Sequence, residues 1–197
     1  MSEIEKQRRK RLRDDFAYYA KHCLKIRPKD GGMIPLELNQ AQLYIHSKIE
    51  EQREKTGKVR AIILKGRQQG SSTYVEARYM WRTTHLKGVQ AFILTHEDDG
   101  TQNIFKMAKR YYDNLPPPVR PTTSASNAKE LIFSALDSGY RVGTAGNKSV
   151  GRSQTNQFFH GSEVAFWPNA AEHAKGVLKN VTDARDNEVI YESSVKG

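Results

Sequence analysis

Apolar and polar positions along this chain recur with two different periods, and the switches between them mark out most of its elements. Phe16, Tyr19, Ala20, Cys23 and Leu24 fall at helical spacing, so "DDFAYYAKHCLKI" predicts an amphipathic helix. "RPKDGGMIP" breaks the pattern, and "NQAQLYIHSKIEEQREKTG" predicts a second helix, capped by Asn39 and stopped at Gly57. "VRAIILK" is too apolar for a one-sided position and predicts a strand covered on both faces. A helix over "SSTYVEARYMWRTTHLKG", a buried strand "VQAFILTH" and a helix "GTQNIFKMAKRYYDNLPPP" halted by prolines come next. "KELIFSALDSGYRVGTAG" alternates around "DSG" and predicts a β-hairpin from Glu130 to Thr144. The polar "GNKSVGRSQT" reads as a mobile loop, "NQFFHGSEVAFW" as a short strand, "NAAEHAKGVLKNV" as a helix and "NEVIYESSVKG" as a last strand. The strand–helix–strand–helix order predicts an α/β domain, its mainly parallel sheet flanked by helices, with the hairpin as an insertion.

Composition narrows the class. The 197 residues suit one domain, and 37% are hydrophobic. No apolar stretch approaches the ~20 residues that span a membrane. "MSEIEKQRRKRLRDD" lacks the apolar core of a secretory signal. Cys23 is the only cysteine, which forbids an internal disulfide and fits a reducing compartment. The chain therefore reads as soluble and intracellular, with no membrane partner. Net charge is +10, and residues 1–29 carry ten Lys/Arg against four Asp/Glu. That segment reads as a basic arm and helix, either drawn to a polyanion such as duplex DNA or simply solvated and partly frayed. Residues 30–197 form the α/β domain. Because no closing helix follows the last strand, it is expected to be truncated at its C-terminal end.

Chemistry concentrates first in "LKGRQQGSST", where a predicted strand runs into a glycine-bounded loop and then a helix. Triphosphates need converging backbone N–H groups, and a loop opening onto a helix N-terminus supplies them. Lys65, Gly66, Arg67, Gln68, Gln69, Gly70, Ser71, Ser72 and Thr73 form the candidate cradle, with a hydroxyl of Ser72 or Thr73 available to Mg²⁺. The phosphate-loop pattern places a lysine where this chain has Ser71. Arg67, with its planar fork, is the stronger geometric candidate for the displaced charge, and Lys65 the alternative. An ordinary strand-to-helix turn has the same outline. The second concentration is "HGSEVAFW". In P-loop ATPases the neighbouring strand commonly ends in an Asp for Mg²⁺-bound water and a Glu that polarises the attacking water. Ser162 and Glu163 stand in those places.

In order and spacing these segments resemble the large terminase subunits that package DNA into the heads of tailed phages. The resemblance runs from about residue 33 onward and rests on "LELNQAQ", "KGRQQGSST", "HGSEVAFW" and "YESSVKG". It implies a P-loop, RecA-like ATPase core that hydrolyses ATP to drive double-stranded DNA into a procapsid. It implies ATP and Mg²⁺ as cofactors, an adenine contact from Gln42 and Glu163 as the catalytic carboxylate. It further implies a γ-phosphate-sensing coupling motif at Ser193 and Ser194. Partners implied are duplex DNA, a portal protein, a small terminase subunit and further copies of the chain in a ring, in the host cell cytoplasm. The sequence departs from the family's pattern at Ser71 and Ser162, each a lost charge. Those losses motivate an alternative: a DNA-binding or assembly module that keeps the fold without hydrolysis. A helicase-type translocase would share the same core. No paired Asp cluster of the kind a terminase nuclease uses is present, so nuclease activity is not expected.

Overall fold

A computed structural model of the chain describes residues 2–127, 129–145 and 155–195. Two N-terminal helices come first, α1 (Glu3–Asp14) and α2 (Phe16–Cys23), followed by a two-residue antiparallel pair, β1 (Lys25–Ile26) and β2 (Ile34–Pro35). Then come α3 (Gln40–Thr56), β3 (Val59–Lys65), α4 (Ser71–His85), β4 (Gln90–Thr95) and α5 (Asp98–Asp113). β5 (Ala125–Ser126), β6 (Glu130–Phe133), β7 (Ser138–Thr144), β8 (Phe158–Ser162), α6 (Ala170–Leu178) and β9 (Glu188–Ser194) complete the order. The main sheet is β3-β9-β8-β4-β7-β6-β5. Its first five strands run parallel, and β6 and β5 continue it antiparallel.

Local chemistry accounts for most boundaries. Asn39 and Gln42 form a reciprocal capping box at the start of α3, and Gly57 ends it at φ 75. Asp15 closes α1 and caps α2 by accepting from the Tyr18 amide at 2.8 Å. The predicted hairpin is β6–β7, but its turn lies earlier than "DSG", over a 3₁₀ turn at Ser134–Leu136 with Asp137 left-handed. β7 also pairs with β4 through Gln90↔Gly139 to Thr95↔Thr144, so the hairpin extends the sheet instead of standing apart from it.

Two expectations change. The N-terminal segment is not a frayed arm: Leu12, Phe16, Tyr19, Ala20, Cys23 and Leu24 join the main core with α4, and Trp81 Nε1 donates to the Leu12 carbonyl at 3.0 Å. The basic residues of α1 occupy its solvent side, several of them paired with Glu3, Glu5, Asp14 and Asp15. β3 is not covered on both faces either. Ala61 and Ile63 pack on the main core, whereas Ile62 and Leu64 are 82% and 73% exposed. The smaller core on the sheet's other face, built from Phe92, Leu94, Phe159, Trp167 and Val189, does not extend over β3, which is the edge strand. Gln52 covers part of that edge, its amide bonding the Arg60 N–H at 2.7 Å and the Arg60 carbonyl at 3.2 Å. Trp81 and Tyr79 of α4 are core residues. Arg152 and most of "GNKSVGRSQT" lie outside the described residues.

Candidate functional site

The carboxyl ends of β3, β9 and β8 lie side by side, where open parallel sheets hold their ligands. Register aligns Lys65 with Ser194 and Ser162 with Glu192. The loop after β3 turns through Gln68 at φ 64 and Gly70 at φ 77, then enters α4 at Ser71. Gly70 is required twice over: its backbone is left-handed, and an added Cβ would meet Gln42 Nε2 at 2.7 Å.

The start of α3 holds this loop. Asn39 Nδ2 donates to the Gln69 carbonyl at 3.3 Å, and Gln42 Nε2 to the Gly70 carbonyl at 2.9 Å. Gln42 Oε1 accepts from the Asn39 amide at 3.0 Å, and the side chain is buried. Its side-chain amide is thus engaged in shaping the loop. Lys29 Nζ steadies the loop's tip from Gln68 Oε1 at 2.5 Å. Gly66 and Arg67 lie on its exposed side. Ser71 is buried, and among the described residues its hydroxyl has no hydrogen-bond partner. The Thr73 carbonyl accepts from Tyr111 Oη at 3.2 Å, which ties α4 to α5.

The cation that meets the carboxylates is Lys65, not Arg67, the residue that the sequence ranked first. Alternation along β3 turns Lys65 inward with Ala61 and Ile63, while Arg67 lies beyond the strand in the exposed turn. Lys65 Nζ lies 3.2 Å from Glu163 Oε1, 3.1 Å from Glu192 Oε2 and 3.4 Å from Ser72 Oγ. Glu163 follows β8 in a left-handed conformation, φ 53, a strained state for a non-glycine residue and one that clusters at functional sites. That corner turns its carboxylate to β9, where Glu163 Oε2 accepts from the Ser194 amide at 3.0 Å and the Ser194 hydroxyl at 2.9 Å. Burial alone would raise the Glu163 carboxyl, but the two Ser194 bonds and Lys65 outweigh it and hold it below its usual value. The two serines of β9 part company. Ser194 joins the centre, whereas the Ser193 hydroxyl accepts from the Ala165 amide at 3.2 Å and donates to the Ser194 carbonyl at 3.1 Å.

Behind this front row is a buried ionic chain that sequence reasoning missed. Glu192 accepts from the Ser72 hydroxyl and, at 3.1 Å, from the Ser162 hydroxyl. His160 lies between two carboxylates, with Nδ1 2.5 Å from Glu76 Oε1 and Nε2 3.4 Å from Glu192 Oε1; all three side chains are fully buried. Burial works against the imidazolium, but Glu76 and Glu192 prevail and raise His160 to about 9. Burial likewise opposes the Glu192 carboxylate, and His160, Lys65 and Ser72 pull it down to about 2. Glu76 is raised, its burial outweighing the charge of His160. The available signal was Glu192, an acid beside the apolar "VIY" of the last strand, since unpaired carboxylates are almost never buried.

Among the described residues no three His, Cys, Asp or Glu side chains converge as a metal cage. A Mg²⁺ ion accompanying a nucleotide needs only one or two protein ligands beside phosphate oxygens and water. A Ser72 hydroxyl against a buried carboxylate fits that demand.

A mainly parallel α/β sheet flanked by helices, with a loop-to-helix turn at its carboxyl end, gives the chain a RecA-like fold. Solved structures with a similar fold include phage large terminases and the ATPase domain of one of them. The large terminase of bacteriophage HK97 matches over 92% of this chain and 37% of its own, with TM-score 0.70 and 12% identity. The large terminase ATPase domain of Thermus phage P74-26 matches over 81% and 65%, with TM-score 0.55 and 21% identity. A thermophilic-bacteriophage large terminase in complex with ADP matches over 80% and 38%, with TM-score 0.58 and 10% identity. The chain thus spans under two thirds of these neighbours' lengths. No protein-family model and no curated protein matches its sequence. Among the described residues no helix is long and apolar enough to cross a membrane.

Proposed function

We propose that this chain is the ATP-hydrolysing motor domain of a phage large terminase, working on double-stranded DNA. The observation that carries the reading is the meeting of Lys65, Ser72, Glu163 and Ser194 at the ends of three adjacent strands, beside a loop that opens onto α4. The terminase fold and its ADP-bound neighbour support it.

The triphosphate would lie along residues 65–73, its oxygens facing the loop's N–H groups and the start of α4. A groove of about 540 Å³ between α3 and β3 adjoins that loop, lined by Ala41, Tyr44, Ile45, Ile62, Leu64 and Gln69 among others. It supports placing the base there, on the α3 face next to Gln42. Lys65 would leave the carboxylates for the γ-phosphate and stabilise its charge, with Arg67 steering from the rim. Glu163 would then orient a water toward the γ-phosphorus and take its proton as the bond to the bridging oxygen breaks. When bound, Mg²⁺ would neutralise charge on the β- and γ-phosphates; Ser72 would hold it, with Ser162 reaching it through water. Loss of the γ-phosphate would return Lys65 to Glu163 and Glu192, beside Ser194, giving β9 a local switch to transmit. Duplex DNA, a portal, a small subunit and neighbouring copies in a ring are the partners this reading calls for.

Glu163→Gln keeps the shape and removes the base. It should cut phosphate release by roughly 10²–10⁴-fold while nucleotide affinity, read by calorimetry, stays near that of the unaltered chain. Unchanged turnover would falsify the assignment of Glu163. The uncharged Ser71 and Ser162 favour one second reading, a module that binds nucleotide or DNA without hydrolysis. Binding with no phosphate release, even with DNA and portal present, would select it.

A further inference from the structure

Ser162 leaves the strand end beside the phosphate loop without a charge, yet the structure does not leave that position without a carboxylate. Glu192, one strand over and in register with Ser162, fills it. Its Oε1 accepts from both the Ser162 and the Ser72 hydroxyls. Donating its proton to Glu192 leaves the Ser72 oxygen's lone pairs free for a cation, the arrangement a metal-binding hydroxyl needs. We infer that Glu192 supplies, from β9, the metal-centre carboxylate that β8 lacks at Ser162.

Two further observations bear on a cation at this spot. Among the described residues Glu192 Oε2 is buried and receives no hydrogen bond, and the Lys65 ammonium lies 3.1 Å from it. That ammonium also lies 3.2 Å from Glu163 and 3.4 Å from Ser72. It is a positive charge among one buried carboxylate, one half-exposed carboxylate and one hydroxyl, so it stands in for the cation of a nucleotide complex. On a flexible four-carbon stem it can move to phosphate when phosphate arrives, leaving Glu192 to the incoming ion. His160 and Glu76 hold Glu192 from behind, which keeps its head fixed at the end of the sheet.

The inference rests on the ATP reading above, and the test separates the two. The probe is a non-hydrolysable ATP analogue bound to the 197-residue chain, in EDTA and with Mn²⁺, the bound Mn²⁺ counted by electron paramagnetic resonance. The unaltered chain should bind analogue and one Mn²⁺. Glu192→Gln should weaken Mn²⁺ in that complex by about tenfold or more, without weakening analogue binding in EDTA. Adding Ser162→Asp to Glu192→Gln should restore Mn²⁺ affinity, a gain that misfolding cannot produce. If circular dichroism shows Glu192→Gln unfolded, Glu192→Asp decides, since it keeps the charge but withdraws it by one methylene, and Mn²⁺ affinity should still fall. Full Mn²⁺ affinity in a folded Glu192→Gln, or in Glu192→Asp where that variant decides, overturns the role of Glu192 alone. No analogue binding by the unaltered chain, with or without metal, overturns the ATP reading itself.

Discussion

Lys65 and Arg67 stand two positions apart, and their surroundings assign them different work. Lys65 is only 11% exposed and bridges Glu163 and Glu192, whereas Arg67 faces solvent from the turn. A charge held in a partly desolvated site acts on a phosphate far more strongly than one at the rim. Lys65→Ala should therefore reduce phosphate release by roughly 10²–10³-fold, and Arg67→Ala by less than about tenfold. Steady-state release assays on the two variants make the comparison, and the reverse order would return the role to the loop arginine. The sequence made both residues visible but not their ranking. "KGR" puts two cations at a strand's end, and only the strand's inward alternation at Lys65 decides which one meets the carboxylates. Gln42 is a similar case, since its place in the capping box shows in "NQAQ" while its reach to the Gly70 carbonyl depends on how α3 crosses the loop.

The element that joins the site to the core is β9. One end presents Glu192 and Ser194 to the phosphate loop, and the other is anchored by Glu188. Arg78 of α4 grips Glu188 with two bonds, at 2.7 and 2.8 Å, and reaches Glu50 of α3 at 2.6 Å, with Arg78 and Glu188 fully buried. Removing one partner of such a pair strands a charge in the interior. Arg78→Leu should destabilise the chain by about 3–5 kcal/mol, and thermal denaturation should record a fall of roughly 10 °C. Arg78→Leu with Glu188→Leu should recover part of that loss; a single variant as stable as the unaltered chain would mean the pair is dispensable. At this scale the sequence was legible wherever signals are local. Asn39 and Gly57 bound α3, the prolines after Asn114 end α5's run, and apolar runs mark β3, β4 and β8. Strand order was not legible, because the insertion of β9 between β3 and β8 is a long-range pairing with no local signature. Nor was the one-sided cover of β3, which depends on its being an edge.

Across the whole molecule, the buried chain Glu76–His160–Glu192 makes stability a function of pH, and the two limbs have opposite signs. His160 rises from an ordinary 6.5 to about 9 on folding. Its contribution is therefore complete below about 6.5 and lost as pH climbs through about 9. Glu192 falls from 4.5 to about 2, so its contribution is complete above about 4.5 and lost as pH drops toward 2. Both act in full between roughly pH 4.5 and 6.5. Burial depresses His46 and His85, which makes them favour folding more as pH rises through 6.5, a gain complete about one unit higher, so the His160 limb is read above about pH 7.5. Cys23, raised to about 11, and the buried tyrosines begin to matter only from about pH 9 upward. Thermal melts from about pH 7.5 to 9 should show a steady fall in Tm, equivalent to a loss on the order of 1–2 kcal/mol. His160→Gln, less stable at pH 6.5, should show a flat limb over the same interval. A flat limb in the unaltered chain would mean that His160 is neutral between its two carboxylates, and Glu192 would then keep only Lys65 of the two cations that hold its charge beside Ser72.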